Sequence, residues 1–260
     1  DKAVSGEFDL IVPFGSLPAQ CVKEMAEKRQ SKTPIVFCGI GDPVKVGLIQ
    51  EPGVPGETIT GFGVFGFGFV EPMIEQLPLF APKAKRVLMP YNPTMLGGTL
   101  EEYRVHIGNE LEKRGYTVTD IKIYNTNEVV ERMTPFMDSV DMVWLLPDAS
   151  TVDALEGIAK LCVQYQKFVY ITMNLNKLGQ GAALAFGYSL FDVGRDVGNY
   201  IVRILVNKEP VSSLPVLPIS VDALKIGINV ENAEKQGLLK QVDPTVLYLM
   251  EHGMVYEKAS

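Results

Sequence analysis

Short apolar runs alternate with amphipathic segments along most of this chain, and this alternation constrains its fold more than any other feature. The first apolar run, residues 8–12, stops at Pro13 and Gly15, and the second, residues 34–38, stops at a glycine-rich turn. Between them, residues 18–29 place apolar side chains on one helical face and charged side chains on the other. Strand, helix and strand in this order predict a right-handed βαβ unit with parallel strands.

The same alternation restarts after a glycine-rich stretch and continues towards the C-terminus. It predicts further strands or extended segments over residues 86–89, 118–124, 141–146, 168–172, 182–186, 216–219 and 225–229. It predicts helices over residues 99–114, 128–139, 151–165, 191–206 and 244–250. The expected fold class is therefore α/β with parallel sheets. Such sheets bind ligands in the loops after the carboxyl ends of strands, here residues 14–19, 39–43, 91–98, 147–151 and 172–175.

Length and composition narrow the class of protein further. The chain has 260 residues, 47% of them hydrophobic, which allows a sizeable core and favours two domains. Its net charge of −7 and the lack of basic runs argue against a nucleic-acid partner. Cys21, Cys38 and Cys162 lack metal-ligand spacing, and each is expected to be a small buried hydrophobic residue. No stretch of the sequence reads as a membrane span, and we expect neither a metal nor a cofactor.

Residues 61–69 alternate glycine with apolar residues and admit two interpretations. Gly61, Gly63 and Gly66 match the dinucleotide-binding pattern G-x-G-x-x-G. That pattern requires an acidic residue about 20 positions later, at the end of a second strand. Residues 85–90 contain no acidic residue. The favoured interpretation is a connector between domains, whose glycines permit unusual backbone angles.

Catalytic machinery is hard to assemble from this sequence. His106 and His252 are the two histidines, neither follows a strand, and no hydrolase, zinc-protease or phosphate-loop motif occurs. Asp42 and Asp148 lie in strand-end loops, where each could contact a ligand or cap a turn. Catalysis is therefore not expected. Aromatic side chains crowd near the strand ends and the connector: Phe14, Phe62, Phe65, Phe67, Tyr91, Trp144 and Tyr188. Most of them are expected to be core residues, and two or three that line a cleft would form a stacking surface for a flat or apolar ligand.

Several strand-end loops, taken together and in order, are similar to one protein family. They are FDLIVPFGS at residues 8–16, PIVF at 34–37, GDPV at 41–44, PGETITG at 55–61 and YNP at 91–93. Three later segments follow in matching order: LPD at residues 146–148, GAA at 181–183 and IGIN at 226–229. The chain thus resembles the ABC-transporter substrate-binding proteins that include tryptophan- and tyrosine-binding lipoproteins.

The resemblance implies a periplasmic-binding-protein fold of type I. Two Rossmann-like lobes, joined by a hinge, would hold the ligand in the cleft between them. Lobe one would contain residues 1–69 and 179–212, and lobe two would contain residues 70–178 and 213–260. The ligand contacts implied at matching positions are Ser16, Asp42, Tyr91, Asn92, Asp148, Asn174 and Tyr188.

The resemblance also implies a function that involves no catalysis. The chain would bind a small molecule, either an amino acid or an aromatic or apolar compound, and deliver it to an ABC permease. It would work in the periplasm or outside the cell as a membrane-anchored lipoprotein. Two alternatives remain open: a ligand-sensing regulatory domain of the same fold and a doubly wound enzyme.

One departure from the family pattern concerns the ligand. Asn174 and Ser189 stand where the family has acidic residues, and Met95, Gly97 and Gly98 stand where it has a Glu and polar residues. Fewer acids are then left to hold an ammonium group. These departures are compatible with a ligand that is less cationic and more apolar, and an amino acid remains open beside it.

A second departure concerns lobe one. The family has two further βα units before the run at residues 8–12, and without them this run would leave an exposed apolar edge. We expect either about 50–65 upstream residues, two βα units of ~30 residues each, or an oligomer that covers the edge.

Overall fold

A computed structural model describes residues 2–63, 69–95, 99–173, 175–219 and 224–251 of the chain, which divides into two compact units. Unit 1 consists of Asp1–Gly66 and Leu190–Ala223, and unit 2 consists of Phe67–Ser189 and Leu224–Ser260. Each unit has its own sheet and its own apolar core.

Helices and strands are labelled in chain order. The first ten are α1 (Ser16–Lys28), β1 (Ile35–Ile40), β2 (Ile59–Gly63), α2 (Val70–Glu75), α3 (Leu77–Phe80), β3 (Arg86–Tyr91), α4 (Thr99–Lys113), β4 (Thr117–Lys122), α5 (Val129–Met133) and β5 (Met142–Leu145). They are followed by α6 (Ala149–Val152), α7 (Leu155–Tyr165), β6 (Phe168–Thr172), β7 (Leu184–Tyr188), α8 (Leu190–Leu205), β8 (Leu217–Pro218), β9 (Leu224–Ile228), α9 (Val230–Lys235) and α10 (Pro244–Glu251).

The sheet of unit 1 has three parallel strands in the order β1-β2-β8. Helix α8 packs on β2 through Phe62 and Tyr200, whose ring centroids lie 4.7 Å apart. The hydroxyl of Thr60, a buried residue of β2, donates to the carbonyl oxygen of Leu214 at 2.7 Å. Residues 190–223 return to unit 1 after the chain has passed through unit 2. These contacts fix that returning segment to strand β2.

Residues 8–12 were expected to form a strand, and this prediction is wrong. The segment runs parallel to β1 but pairs with it only at two isolated bridges, Ile11 with Ile35 and Phe14 with Cys38. Phe8 and Val12 are 46% and 41% exposed, so the run is not buried on both faces. An apolar run forms a buried strand only where neighbours cover it, and among the described residues this segment pairs with β1 alone.

The first three residues of the expected connector, 61–63, belong to strand β2. Gly61 has φ of 152° and lies opposite Phe37 in the parallel register. A Cβ atom at Gly61 would lie 2.1 Å from the carbonyl oxygen of Phe37, so glycine is required for this close approach of β1 and β2. Residues 64–68 lie outside the described residues, and for them the connector remains a prediction.

The sheet of unit 2 has six strands in the order β4-β3-β5-β6-β7-β9. All neighbours are parallel except β9, which is antiparallel to β7. Strand β3 shows how both faces are covered, since successive side chains of a strand point to opposite faces. Met89 enters the core cluster under α4, whereas Leu88 enters the cluster under α5 and α7. The predicted α/β fold with parallel sheets is confirmed.

Two of the predicted helices are interrupted in unit 2. Residues 128–139 form α5 between two 3-10 helices, Thr126–Glu128 and Thr134–Ser139, because Pro135 lacks the N–H group that a continuous helix needs. Residues 151–165 are divided between α6 and α7. The short helices α2 and α3 were not predicted, because each contains a proline near its start, which in the sequence alone suggests a loop.

The unit boundaries differ from those expected from the sequence at two places. Strand β7 pairs with β6 and β9, so residues 179–189, which were expected in lobe one, belong to unit 2. Strand β8 pairs with β2, so residues 213–219, which were expected in lobe two, belong to unit 1. Strand pairing over these few residues depends on long-range contacts that the sequence pattern does not reveal.

Candidate functional site

The loops after β3, β5 and β6 lie side by side, because these strands are neighbours in the sheet of unit 2. Their carboxyl ends meet at one edge, which is where sheets of this class bind ligands. Asn92 follows β3, Asp148 follows β5 by three residues, and Asn174 follows β6. Asn174 lies outside the described residues, so its part in the site stays a prediction.

Asp148 is fully buried and joins the first two of these loops. Its Oδ2 accepts a hydrogen bond from the backbone N–H of Asn92 at 2.7 Å, and its Oδ1 accepts one from the backbone N–H of Ser150 at 2.9 Å. Asp148 is thereby also the N-terminal cap of α6. The sequence left open whether Asp148 contacts a ligand or caps a turn, and these contacts show that it caps a turn. Its contact with a ligand stays a prediction.

The side chain of Asn92 completes the same network. Its Nδ2 donates to the hydroxyl of Ser150 at 3.0 Å, and its Oδ1 accepts from both the N–H and the hydroxyl of Thr94, at 3.0 and 2.7 Å. Asn92 and Asp148 therefore hold one another and their own loops in place. The network positions the loop backbones, and the half-buried Ser150 and the exposed Thr94 are its members nearest to solvent.

Burial dominates the electrostatics of Asp148. It raises the pKa of the carboxyl, and the hydrogen bonds from Asn92 and Ser150 offset this effect only in part. Asp148 is fully buried and each of its carboxylate oxygens accepts a backbone N–H group, so no solvent-accessible oxygen of this residue faces a ligand ammonium group.

The loop after β6 begins with an unusual backbone conformation. Met173 has φ of 69°, in the left-handed region that residues other than glycine rarely adopt. Its N–H donates to the carbonyl oxygen of Phe186 in β7 at 2.6 Å, which fixes the start of the loop to the neighbouring strand. Conformations of this kind occur where the surrounding structure imposes them, and they are frequent at binding sites.

Tyr91, the last residue of β3, points into the core rather than into the loop. Its ring is fully buried under α4, with the guanidinium of Arg104 5.3 Å from the ring centroid. Burial, and after it the neighbouring Glu101 carboxylate, raise the pKa of the Tyr91 hydroxyl. The structure thus places Tyr91 beneath the candidate site, and a direct ligand contact stays a prediction.

Tyr188 ends strand β7 and lies close to Tyr103, which the sequence analysis did not select. Tyr103 on α4 is buried, its ring centroid lies 5.8 Å from that of Phe69, and Tyr188 is near enough to affect its ionisation. Burial, with Tyr188 as a smaller cause, raises the pKa of Tyr103 well above its usual value. A tyrosine on the apolar face of a helix reads as an ordinary core residue, so the sequence carries no signal for this cluster.

Unit 1 supplies Ser16 and Asp42. Ser16 is the first residue of α1, after Gly15 with φ of 89°, and it is half-buried. The Oδ1 of Asp42 accepts from the backbone N–H groups of Val44 and Lys45 at 3.0 and 3.1 Å, so Asp42 caps the turn after β1. Phe14 is 55% exposed and its ring lies against Gly39, where a Cβ atom would come within 3.0 Å of it. Phe14 is the exposed aromatic surface of these loops.

The other residues singled out in the sequence are core residues, cysteines, or residues outside the described part of the chain. Phe62 and Trp144 are core residues, and Phe65, Phe67 and His252 lie outside the described residues. Cys38 and Cys162 are buried as expected, whereas Cys21 is exposed on α1, which corrects its predicted burial. Within the described ranges, no three His, Cys, Asp or Glu side chains are placed to hold a metal ion.

One family profile matches almost the whole chain. The family described as ABC transporter substrate binding protein aligns with residues 1–247. The chain belongs to this family. Members of the family are solute-binding proteins, which agrees with a site built from fixed loops and aromatic side chains rather than from a nucleophile and a base.

Solved structures share the fold of this substrate-binding chain. A conserved domain protein from Vibrio cholerae is 21% identical with a TM-score of 0.78, over 95% of this chain and 79% of that one. An ABC domain from Streptococcus pneumonia in complex with L-Trp has the same four values. A ligand-free, open substrate binding protein with adhesive properties from Clostridium difficile is 26% identical with a TM-score of 0.68, over 91% and 76%. The predicted periplasmic-binding-protein fold is confirmed.

Curated protein sequences and the length of the helices add two further findings. No curated protein sequence matches this substrate-binding chain. Among the described residues, every helix is too short or too polar to cross a bilayer.

Proposed function

We propose that this protein is the extracytoplasmic solute-binding component of an ABC importer, and that its solute is a small aromatic or apolar molecule such as an aromatic amino acid. Membership of the substrate-binding family is the observation that carries the first part. A solute of this kind would be handed to a membrane permease, and a lipid anchor would keep the protein at the membrane surface.

The chemistry of the described loops supports the choice of solute. The carboxylate of Asp148 is fully buried and binds backbone N–H groups through both oxygens, and Oδ1 of Asp42 binds two backbone N–H groups, so both acids serve to fix their own loops. Phe14 offers an exposed aromatic face, and Tyr188 and Tyr103 place aromatic rings at the end of β7. Aromatic faces bind flat ligands by stacking and by burial of apolar area.

Each unit, taken by itself, has groups that suit such a solute. In unit 1 these are the exposed ring of Phe14 and the N-terminus of α1 at Ser16, whose cap makes no side-chain hydrogen bond and which suits a carboxylate. In unit 2 they are the fixed loops at Asn92 and Asp148, together with Asn174 and Tyr188. The amide of Asn174, in place of a family acid, fits a solute with little positive charge.

The resemblance in fold to a protein with bound L-Trp selects the first solute to test. Isothermal titration calorimetry with L-tryptophan, L-tyrosine and L-phenylalanine should give binding with one site per chain. L-Glutamate and L-lysine should bind far more weakly. A preference for either charged amino acid would contradict the aromatic part of the proposal, and absence of binding for all five would exclude these aromatic amino acids as the solute.

Phe14 allows a matched comparison within one segment. Phe14→Ala should weaken binding of the solute about tenfold or more, because a stacking face is lost. Phe8→Ala is the control: Phe8 has similar exposure but lies at the other end of the same segment, next to the amino end of β1. Equal effects of the two substitutions would show that Phe14 acts on the fold of unit 1 and not on the solute.

A further inference from the structure

A pocket open to solvent lies at the amino-terminal ends of strands in the unit 2 sheet, and it plays no part in the proposed function. The pocket has a volume of about 270 Å³, and its lining includes Lys83, Lys167, Lys240, Asp141, Gln166 and Gln241. Residues 83–84 precede β3, Asp141 precedes β5 and Lys167 precedes β6. The pocket therefore lies at the amino ends of the same strands whose carboxyl ends carry the candidate solute site.

The three lysines of this pocket differ from the described lysines that pair with an acid one helical turn away, such as Lys160 with Glu156 and Lys235 with Glu231. Among the described residues, no carboxylate oxygen lies within 4.0 Å of Lys83, Lys167 or Lys240. Lys240 donates instead to the neutral side-chain oxygen of Gln166 at 3.0 Å. Three lysines from separate parts of the chain thus line one pocket.

The one acid in the pocket lining does not neutralise these lysines. Asp141 accepts hydrogen bonds from the guanidinium of Arg86, at 2.6 and 3.2 Å, and from the backbone N–H groups of Lys85 and Arg86. Burial opposes its ionisation, but these hydrogen bonds outweigh burial and lower the pKa of Asp141. Its negative charge is committed to Arg86, so the pocket keeps the positive charge of its lysines.

The side-chain amide of Gln241, which also lines the pocket, has an oxygen without a hydrogen-bond partner among the described residues. Its Oε1 atom is buried, and within the described part of the chain no donor lies in hydrogen-bonding reach of it. A buried amide without a partner is unfavourable. The two ends of an amide are exchangeable by rotation, so the same position can present an N–H donor to an anion.

We propose that the three lysines and Gln241 at the amino ends of β3, β5 and β6 form a binding site for a phosphate-type oxyanion. Such an anion accepts hydrogen bonds from several ammonium groups at once and relieves the repulsion among them. The volume of the pocket accommodates one phosphate group with its remaining substituent directed to solvent. The anion is either free phosphate or the headgroup of an anionic lipid, which present the same chemistry.

The position of the site makes it separate from solute binding. Strands β3, β5 and β6 have four to six residues each, so their two ends are roughly 13–20 Å apart at about 3.3 Å per residue. An anion at the amino ends and a solute at the carboxyl ends therefore do not share contacts. Failure of one proposal leaves the other standing.

Calorimetric titration of the full chain with inorganic phosphate tests the proposal. We expect saturable binding with one site per chain. Combined substitution of Lys83→Gln, Lys167→Gln and Lys240→Gln should weaken it about tenfold or more, because charge-assisted hydrogen bonds are lost. Lys160→Gln is the control, since it removes an ion-paired lysine from the same unit, and it should leave phosphate binding unchanged.

Two further measurements complete the test. Phosphate should shift the backbone NMR signals of Ala84 and Gly237, which line the pocket, in the unaltered protein. Co-sedimentation with phosphatidylglycerol vesicles, compared with phosphatidylcholine vesicles, identifies the lipid headgroup as the source if only the former bind and the triple variant does not. Absence of binding to both phosphate and phosphatidylglycerol vesicles, or equal binding by the triple variant, overturns the proposal.

Discussion

At the scale of single residues, the Asp148 carboxylate explains how two loops of the candidate site keep a fixed geometry. It bonds the N–H of Asn92, which is 56 positions away in sequence, and the N–H of Ser150 in its own loop. A hydrogen bond to an ionised group is stronger than one between neutral groups. Because these two loops are already fixed, they lose little conformational entropy when a solute binds.

Titration of Asp148 tests its buried position. Burial raises its pKa above 3.8, and the hydrogen bonds from Asn92 and Ser150 offset this only in part. The folded protein therefore binds this proton more tightly than the unfolded chain, so the stabilising contribution of the protonated group is complete below the unfolded pKa and is lost as pH rises through the folded pKa. Carbon-detected NMR should give a midpoint above 3.8, and a midpoint at or below 3.8 contradicts the account.

Substitution of the same residue tests the network. Asp148→Asn should lower the free energy of unfolding by about 1–3 kcal/mol, because the amide replaces one acceptor oxygen with a donor that faces a backbone N–H. Chemical denaturation measures the change. Asp153→Asn, an exposed acid of the adjoining turn, is the control and should change stability by less than about 0.5 kcal/mol. Equal effects of the two substitutions would refute the role of Asp148.

The loop positions could be predicted from the sequence, but the use of their side chains could not. Gly, Pro and polar residues after apolar runs indicate where strands end, so Asn92 and Asp148 were selected correctly as strand-end residues. Their hydrogen bonds to each other depend on the β3–β5 adjacency in the sheet, which no local pattern encodes. Tyr103 was missed for the same reason, since its proximity to Tyr188 arises from packing between α4 and the sheet.

At the scale of secondary structure elements, Gly61 determines how closely β1 and β2 pack. Gly61→Ala should lower the unfolding free energy by more than about 3 kcal/mol, because the added Cβ would meet the Phe37 carbonyl oxygen at 2.1 Å and the backbone cannot move without breaking the ladder. Gly198→Ala in α8 has open space around the new Cβ and should be neutral or stabilising by about 0.5–1 kcal/mol. Thermal unfolding of both variants checks this, and a tolerated Gly61→Ala would contradict the strand pairing.

The elements that the sequence predicted best are the buried parallel strands of unit 2. Strand β6 matches its predicted bounds, Phe168–Thr172, because all five of its residues are buried and the first four are apolar or aromatic. The run at residues 8–12 is also apolar apart from Asp9, but it lacks that cover and makes only isolated bridges to β1. An apolar run therefore indicates a capacity for burial, and the neighbouring elements decide whether the strand forms.

At the scale of the whole molecule, the two proposed sites should respond differently to salt. The solute site relies on aromatic faces, so its affinity should change little between about 0.05 and 0.5 M salt, since screening acts on charges. The oxyanion pocket relies on unpaired lysines and should weaken steeply over the same range. Calorimetry of both ligands on one protein preparation measures the contrast. A steep salt dependence of solute binding would show that charges dominate its site.

The central claim is that this chain binds a small solute and does not transform it. Native mass spectrometry of the full chain, purified from its own source and then mixed with the aromatic amino acids, tests this most directly. The account predicts one non-covalently bound solute per chain, which is released on denaturation with its mass unchanged. A chain that retains no solute under these conditions, or one that releases a chemically altered product, would contradict it.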